Sequence, residues 1–477
     1  MKKIISIVLV LMMTVMLCAC GNGEKTGGNQ GGNDTLQVGF GREQIMPEGT
    51  VRIAGGGVQD RLSTGFMDYL YVTCVAVTDA SGETVLIYSQ DLHNTNDGYI
   101  APVKEEISKE TGISVDHIMM SATHTHSAPA IATASSEGIA EYRVLHKDAA
   151  VKAAKDALAD RSAAEAYIGS TQTEGLASVR HYLLSNGTYA GSNFGDFSSG
   201  SIVEHAAKAD GEAQIIKFTR ADESKKDVLL MSFTVHPCFN GSSDNTVLSA
   251  DLVGTTRDYL EANTDCLVAY FTSDAGNQTQ SSRVASENRT TDYTEYGAIL
   301  GKYVIDTLPS LTKVNGNEVK LKSQTYTAQT NKDKVSEMLD KAIETVDAYN
   351  NSGKSAADPL VAKYGFSSVH EARGVVTRSK LGDTLSFELN VLSIGDNLSF
   401  IFAPYEMFAA TGMYIKENTP YDMTFIVSHA NGEAGYFPTE AAFDHGCYEV
   451  YISKCVRGTA ESVADTYLEM LTQLKNG

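Results

Sequence analysis

Short apolar runs rich in β-branched residues alternate along this chain with stretches of helical periodicity, and no other feature constrains the fold as strongly. Runs at 69–77, 85–88, 117–121, 214–218, 228–235, 267–272, 385–394 and 398–403 read as buried strands. Stretches at 101–111, 148–159, 252–261, 293–307, 332–349, 405–416 and 459–475 repeat apolar residues at helical intervals. The expectation is an α/β fold of mixed β-sheets layered with helices, with no solenoid repeat. No Pro/Ser-rich linker divides the chain, so 36–477 is expected to form one domain. The stretch 325–382 is more polar and helical in pattern, and reads as an insertion or a lid.

The strand-like runs end in residues that carry chemistry. His117-Ile118-Met119-Met120 leads into Ser121-Ala122-Thr123-His124-Thr125-His126-Ser127. In an extended chain His124 and His126 share one face. Either both imidazoles reach one ion, or one holds a metal while the other handles a proton. The run Val228 to Val235 delivers His236 in the same way, and Leu398 to Pro404 delivers Tyr405-Glu406. A carboxylate placed directly after a buried strand must be solvated, paired or ligating. His, His and Glu are the ligand types of catalytic zinc, so a zinc site at strand ends is expected.

Composition excludes several alternatives. Net charge is −21 and the mature chain has no Lys/Arg-rich run, which argues against a nucleic-acid partner. At 42% hydrophobic and 20% charged residues the chain is an ordinary globular protein. Of its 7 cysteines two lie at the N-terminus, and the others (Cys74, Cys238, Cys266, Cys447, Cys455) form no CxxC pair. Neither a thiolate zinc finger nor a dense disulfide framework is expected, although one bridge is open to an exported protein.

The N-terminus reads as a lipoprotein signal. Lys2 and Lys3 precede an apolar stretch from Ile4 to Leu17, which closes on Leu17-Cys18-Ala19-Cys20-Gly21. Residues 1–19 are expected to be removed. The thiol of Cys20 then carries the lipid, and the Gly- and Asn-rich segment 20–35 acts as a flexible tether. The chain is thus expected on the outer face of a bacterial cell membrane.

Several separated motifs, in order, resemble the neutral (non-lysosomal) ceramidase family. SATHTHSAPA resembles that family's GTHTHSGPGG, and TVHPCFNG with SADLVGTTRDYLE is similar to its second histidine segment and the helix after it. FTSDAGNQTQ resembles its NAGNLSPN-type loop, and FAPYEMFAATG its APAEFTTMAG-type segment. NGEAGYFPTEAAFDHGCYE keeps the spacing of NAYASYVTTREEYAAQEYE, and the early GFGREQIMP resembles GIGKADITGP. Together these span most of the chain from about Val38 to its end.

The resemblance implies one zinc ion per chain, on His124, His236, Glu406 and Tyr448, with His126 beside the bound water and Arg180 as a site arginine. It also implies hydrolysis of a linear amide in an N-acyl, ceramide-like lipid by a metal-activated water, and therefore a small amphiphilic substrate; no protein partner is implied. Thr279 stands where the family has a site serine, and Gln280 where it has proline. No counterpart is expected here for the immunoglobulin-like domain that family members add at the C-terminus. Two other readings stay open: a zinc hydrolase of another amide or ester (a peptidoglycan fragment or conjugated lipid), and a non-catalytic lipoprotein that captures ligands.

Overall fold

The strand Leu36–Gln44 sends Val38 and Phe40 into one core and carries Gly39 and Gly41 on its other face. Those glycines let the helix Ile139–Ala159 lie directly on the strand. A Cβ at Gly39 would come within 2.0 Å of Ala157 O, and one at Gly41 within 2.1 Å of Ala153 O. The helix meets them with its small face, Ala150, Ala153, Ala154 and Ala157, all buried. The computed structural model describes residues 35–55, 61–241, 245–284 and 290–477. These described residues pack as one unit. The leader 1–19, Cys20 and the tether up to residue 34 lie outside the described residues.

Among the described residues a nine-stranded sheet contains this strand. Its order is Cys266–Thr272, Asp227–Phe233, Glu212–Arg220, Ser162–Gln172, Leu36–Gln44, Tyr71–Thr78, Thr84–Gln90 and Ile118–Ala122, with Thr312–Lys313 pairing onto Ser162–Gln172. The centre of the sheet is antiparallel. The pairs at its two ends, Asp227–Phe233 with Cys266–Thr272 and Thr84–Gln90 with Ile118–Ala122, are parallel. A four-stranded sheet (Val319–Gln329, Thr384–Ile394, Leu398–Phe402, Met423–Val427) also closes on a parallel pair.

The two sheets share a core in which Val75, Ile87, Phe218, Leu230 and Phe271 meet Phe400, Phe402 and Phe425. Helices Asp97–Thr111 and Ile139–Ala159 cover one end of the larger sheet. Asp251–Asn263 and Tyr293–Thr307 cover the other end. Ala409–Asn418 and Thr459–Asn476 cover the smaller sheet, so the layers run helix, sheet, sheet, helix. No helix among the described residues is long and apolar enough to cross a membrane.

The chain leaving Met423–Val427 crosses between the outer strands of the large sheet. Ser428 N donates to Thr272 O at 2.9 Å, and Ala122 N donates to His429 O at 3.0 Å. The carboxyl ends of these three parallel pairs of the two large sheets therefore converge on one place.

Three local expectations are corrected. The strand before His124 stops at Ala122, and His124 takes a left-handed backbone (φ 66°), so the two histidines leave a loop and not a strand face. The helix read at 405–416 begins only at Ala409, because Glu406 and Met407 are extended and pair with Tyr436 and Phe437. Residues 325–329 of the polar stretch belong to the strand Val319–Gln329, which pairs along its whole length with Thr384–Ile394. Between those strands lie three helices, Val335–Ser352, Lys354–Tyr364 and Val369–Ser379. The stretch is thus an insertion into a β-hairpin.

Candidate metal centre and active-site cavity

His124 and His236 are both buried and both anchored through Nδ1. Nδ1–H of His124 donates to His93 O at 2.7 Å, and Nδ1–H of His236 donates to Ala275 O at 2.6 Å. These bonds fix the tautomer and turn each Nε2 lone pair inward. Glu406 reaches the same point from the second sheet, held by its backbone N–H on Gly435 O at 2.9 Å. Gly276 allows this approach, since a Cβ there would meet Met407 O at 2.7 Å and Glu406 O at 2.8 Å.

The ligand atoms of His124, His236 and Glu406 lie within 4.8 Å of one another. Glu406 Oε2 is 3.5 Å from His124 Nε2 and 3.3 Å from His236 Nε2. That oxygen is buried without a hydrogen-bond partner. Lone pairs facing lone pairs in a buried place repel unless a cation lies between them, and an unpaired buried carboxylate is costly. Burial pushes the Glu406 carboxyl well above the ordinary range. Burial also holds His124 well below the ordinary imidazole value and lowers His236 to about 3, so both rings are neutral. Two neutral imidazoles and one carboxylate are the donor set that suits zinc, and the residues fit such an ion.

Three further histidines surround this group. His126 Nε2 is 3.3 Å from His124 Nε2. The His93 ring centroid lies 4.5 Å from that of His124 and 4.8 Å from that of His126. His429 stacks on His124 with centroids 3.9 Å apart, and both of its ring nitrogens are buried without partners.

Tyr436 brings a phenol to the centre. Its hydroxyl lies 3.4 Å from His236 Nε2 and accepts from Arg180 Nη2 at 3.3 Å, and its residue pairs through the backbone with Glu406. Tyr448, which the resemblance implies as the fourth ligand, lines the same cavity, its ring 5.9 Å from that of Tyr436 and 5.2 Å from that of His370. Arg180 is fixed by Glu449 Oε1 (2.7 Å from Nε) and by Gly276 O (3.0 Å from Nη2). Glu449 in turn bonds His181 Nε2 at 2.8 Å. Thr279 is backbone-paired with Ser178 and bridged to His236, and its hydroxyl donates to Gln280 Oε1 at 3.0 Å.

A cavity of about 900 Å³ opens onto these groups. His124, His126, Arg180, His236, Glu406, Tyr436 and Tyr448 line its floor. Ile53, Ile131 and Phe239 give it apolar wall, while Arg52, Glu433 and Lys454 give it charge. His370, Arg373 and Thr377 come from the last helix of the insertion, which therefore forms part of the site. The five cysteines outside the N-terminus are free.

Sequence reading overlooked His93, His429, Tyr436 and Glu449. A usable signal was present for two of them: His93 follows the buried run Thr84–Gln90 and His429 follows Met423–Val427, the pattern that singled out His236.

No protein-family model and no curated protein matches the chain. Solved structures do. Neutral ceramidase from Pseudomonas aeruginosa aligns with a TM-score of 0.68 at 16% identity, over 93% of this chain and 75% of that one. A ceramidase complexed with C2 aligns with a TM-score of 0.67 at 16% identity, over the same shares. The fold is that of neutral ceramidase. On the neutral-ceramidase fold, the histidine–glutamate centre of this chain occupies the carboxyl ends of the parallel strand pairs, where α/β architectures commonly place ligands. At 16% identity the likeness is one of fold, and the chemistry has to come from the residues above.

Proposed function

We propose that this chain is a zinc-dependent hydrolase that cleaves the amide of an N-acyl, ceramide-like lipid with an activated water. The observation that carries the reading is the orphaned Glu406 Oε2 facing two buried imidazole Nε2 atoms. His124, His236 and Glu406 would hold the ion, with the phenols of Tyr436 and Tyr448 in the same cavity. A bound zinc supplies a Lewis acid and lowers the pKa of its water to near neutrality.

The chain's own groups account for the remaining steps. His126 is neutral, since burial and then the charge of His93 hold it well below its ordinary value. It is placed to take a proton from the attacking water and return it to the leaving amine. Arg180 presents a fixed cation to the cavity, where the carbonyl oxygen gains negative charge. The apolar wall of Ile53, Ile131 and Phe239 suits an acyl chain. Thr279, with its hydroxyl turned to Gln280, takes part only if that bond is exchanged for one to substrate.

The charged wall (Arg52, Glu433, Lys454 and Arg373) favours a second reading at the same centre. In it the scissile amide or ester belongs to a conjugated amphiphile with a polar head. We also propose export and lipid anchoring through Cys20, supported by the N-terminal sequence alone.

The chain from Gly21 onward, assayed by mass spectrometry against N-acyl amides, ceramides, conjugated lipids and matched esters, tests the substrate class. Release of free acid and amine from ceramides supports the first reading, and cleavage confined to polar-headed conjugates supports the second. Cleavage of no amide and no ester would sink both.

A further inference from the structure

Behind the active-site arginine lies a second group of metal-ligand side chains. His181 opens the strand His181–Leu184, directly after Arg180. His445 ends the helix Glu440–His445, and Cys447 follows two residues on, so one short turn delivers an imidazole and a thiol together. The ligand atoms of His181, His445 and Cys447 lie within 4.8 Å of one another. None of these residues belongs to the His124, His236 and Glu406 group.

An independent observation points to a ligand. His445 Nε2 is buried with no hydrogen-bond partner. Cys447 is fully buried and forms no disulfide. The rings are locked: Tyr189 stacks on His445 at 4.6 Å, and Phe194 meets His181 edge-on at 5.4 Å.

We propose that His181, His445 and Cys447 form a second metal site, specific for a borderline-soft transition ion of the zinc type. Mixed thiolate and imidazole donors select such ions over magnesium or calcium. In a tetrahedral site ligand atoms lie roughly 3.5 Å apart, so the group closes on an ion by side-chain shifts of about 1 Å. Binding displaces the Cys447 thiol proton to solvent and involves no change of oxidation state. Glu449 connects the two centres, with Oε2 at 2.8 Å from His181 Nε2 and Oε1 at 2.7 Å from Arg180 Nε. An ion here fixes the His181 ring, and through Glu449 the position of Arg180.

Cobalt(II) added to the metal-free chain from Gly21 onward tests this, because thiolate-to-cobalt charge transfer absorbs in the near ultraviolet. Wild type is expected to bind two equivalents and show that band. His124→Ala should keep one equivalent and the band, whereas Cys447→Ser should keep one equivalent and lose it. Cys238→Ser should retain the band, since Cys238 lines the catalytic cavity and not this group. His445→Ala, at a half-buried position that tolerates truncation better, should weaken the band-forming step at least tenfold, in the range of about 10–100-fold for loss of a metal-site partner. A wild type without the band, or Cys447→Ser with it, overturns the proposal. A single equivalent that His124→Ala abolishes also overturns it, and leaves the catalytic centre standing.

Discussion

Glu406 and Tyr436 are register partners in a short parallel pair, and that backbone pairing places the phenol against the carboxylate. Tyr436 is therefore placed by main-chain geometry, whereas Tyr448 is carried on a separate short helix, Tyr448–Ile452. Tyr436→Phe should weaken zinc binding about 10–100-fold, the usual cost of removing a group that orients or completes a metal site. Tyr448→Phe should leave binding close to wild type. Competitive zinc titration of both variants decides between the two phenols, and the reverse ranking would assign the fourth position to Tyr448.

Arg180 depends on Glu449. Burial alone would raise the Glu449 carboxyl, but His181 and Arg180 overcome it and hold the group well below the ordinary range. Its stabilising contribution is thus present above the unfolded carboxylate value and lost only in strong acid. Glu449→Gln leaves Arg180 buried beside a neutral amide and should cost about 3–5 kcal/mol in denaturant unfolding at pH 7. Activity should fall more than zinc affinity does, because Arg180 faces substrate and not the ion. Equal falls in both would show that Arg180 supports the metal site instead.

Glu406 gives the metal-free protein a distinctive pH response. With its folded carboxyl raised by burial, the native state keeps a proton that the unfolded state releases above about pH 4.3. Metal-free wild type should therefore lose stability relative to Glu406→Gln as pH rises from that value through neutrality. Zinc at 100 times its dissociation constant should reverse the ranking by about 2.7 kcal/mol in wild type only. Chemical denaturation at several pH values, with chelator and with zinc, measures both effects.

The N-terminal reading is tested apart from the catalytic one. Cys20→Ala should move the protein from the membrane fraction and abolish labelling by a fatty-acid analogue, with hydrolysis by the folded part unchanged. Labelling that survives the substitution would refute lipidation at Cys20.

The parts legible in the sequence were those where one local rule decides. Val228 to Phe233 and Leu398 to Phe402 are buried throughout, so the polar residues just after them, His236 and Glu406, stood out. The layered α/β class followed from the same runs. The place of Tyr436 was not legible, because it depends on a pairing between two strand ends distant in sequence. The backbone of His124 was equally hidden, since a left-handed turn leaves no periodic trace. The strand Val319–Gln329 exposes most of its residues to solvent or half-buries them, which erased the alternation and made its end look like part of the helical insertion. Arg180, His181 and Glu449 form a network only in three dimensions.

The central claim is that a zinc ion on His124, His236 and Glu406 drives amide hydrolysis, and its most direct test measures zinc content and N-acyl amide cleavage on the same samples. Hydrolysis should disappear with chelator, return with added zinc, and be absent in His236→Ala, whose folded state is verified by circular dichroism. Cleavage that persists in the metal-free wild type, or in His236→Ala at undiminished rate, would contradict the account.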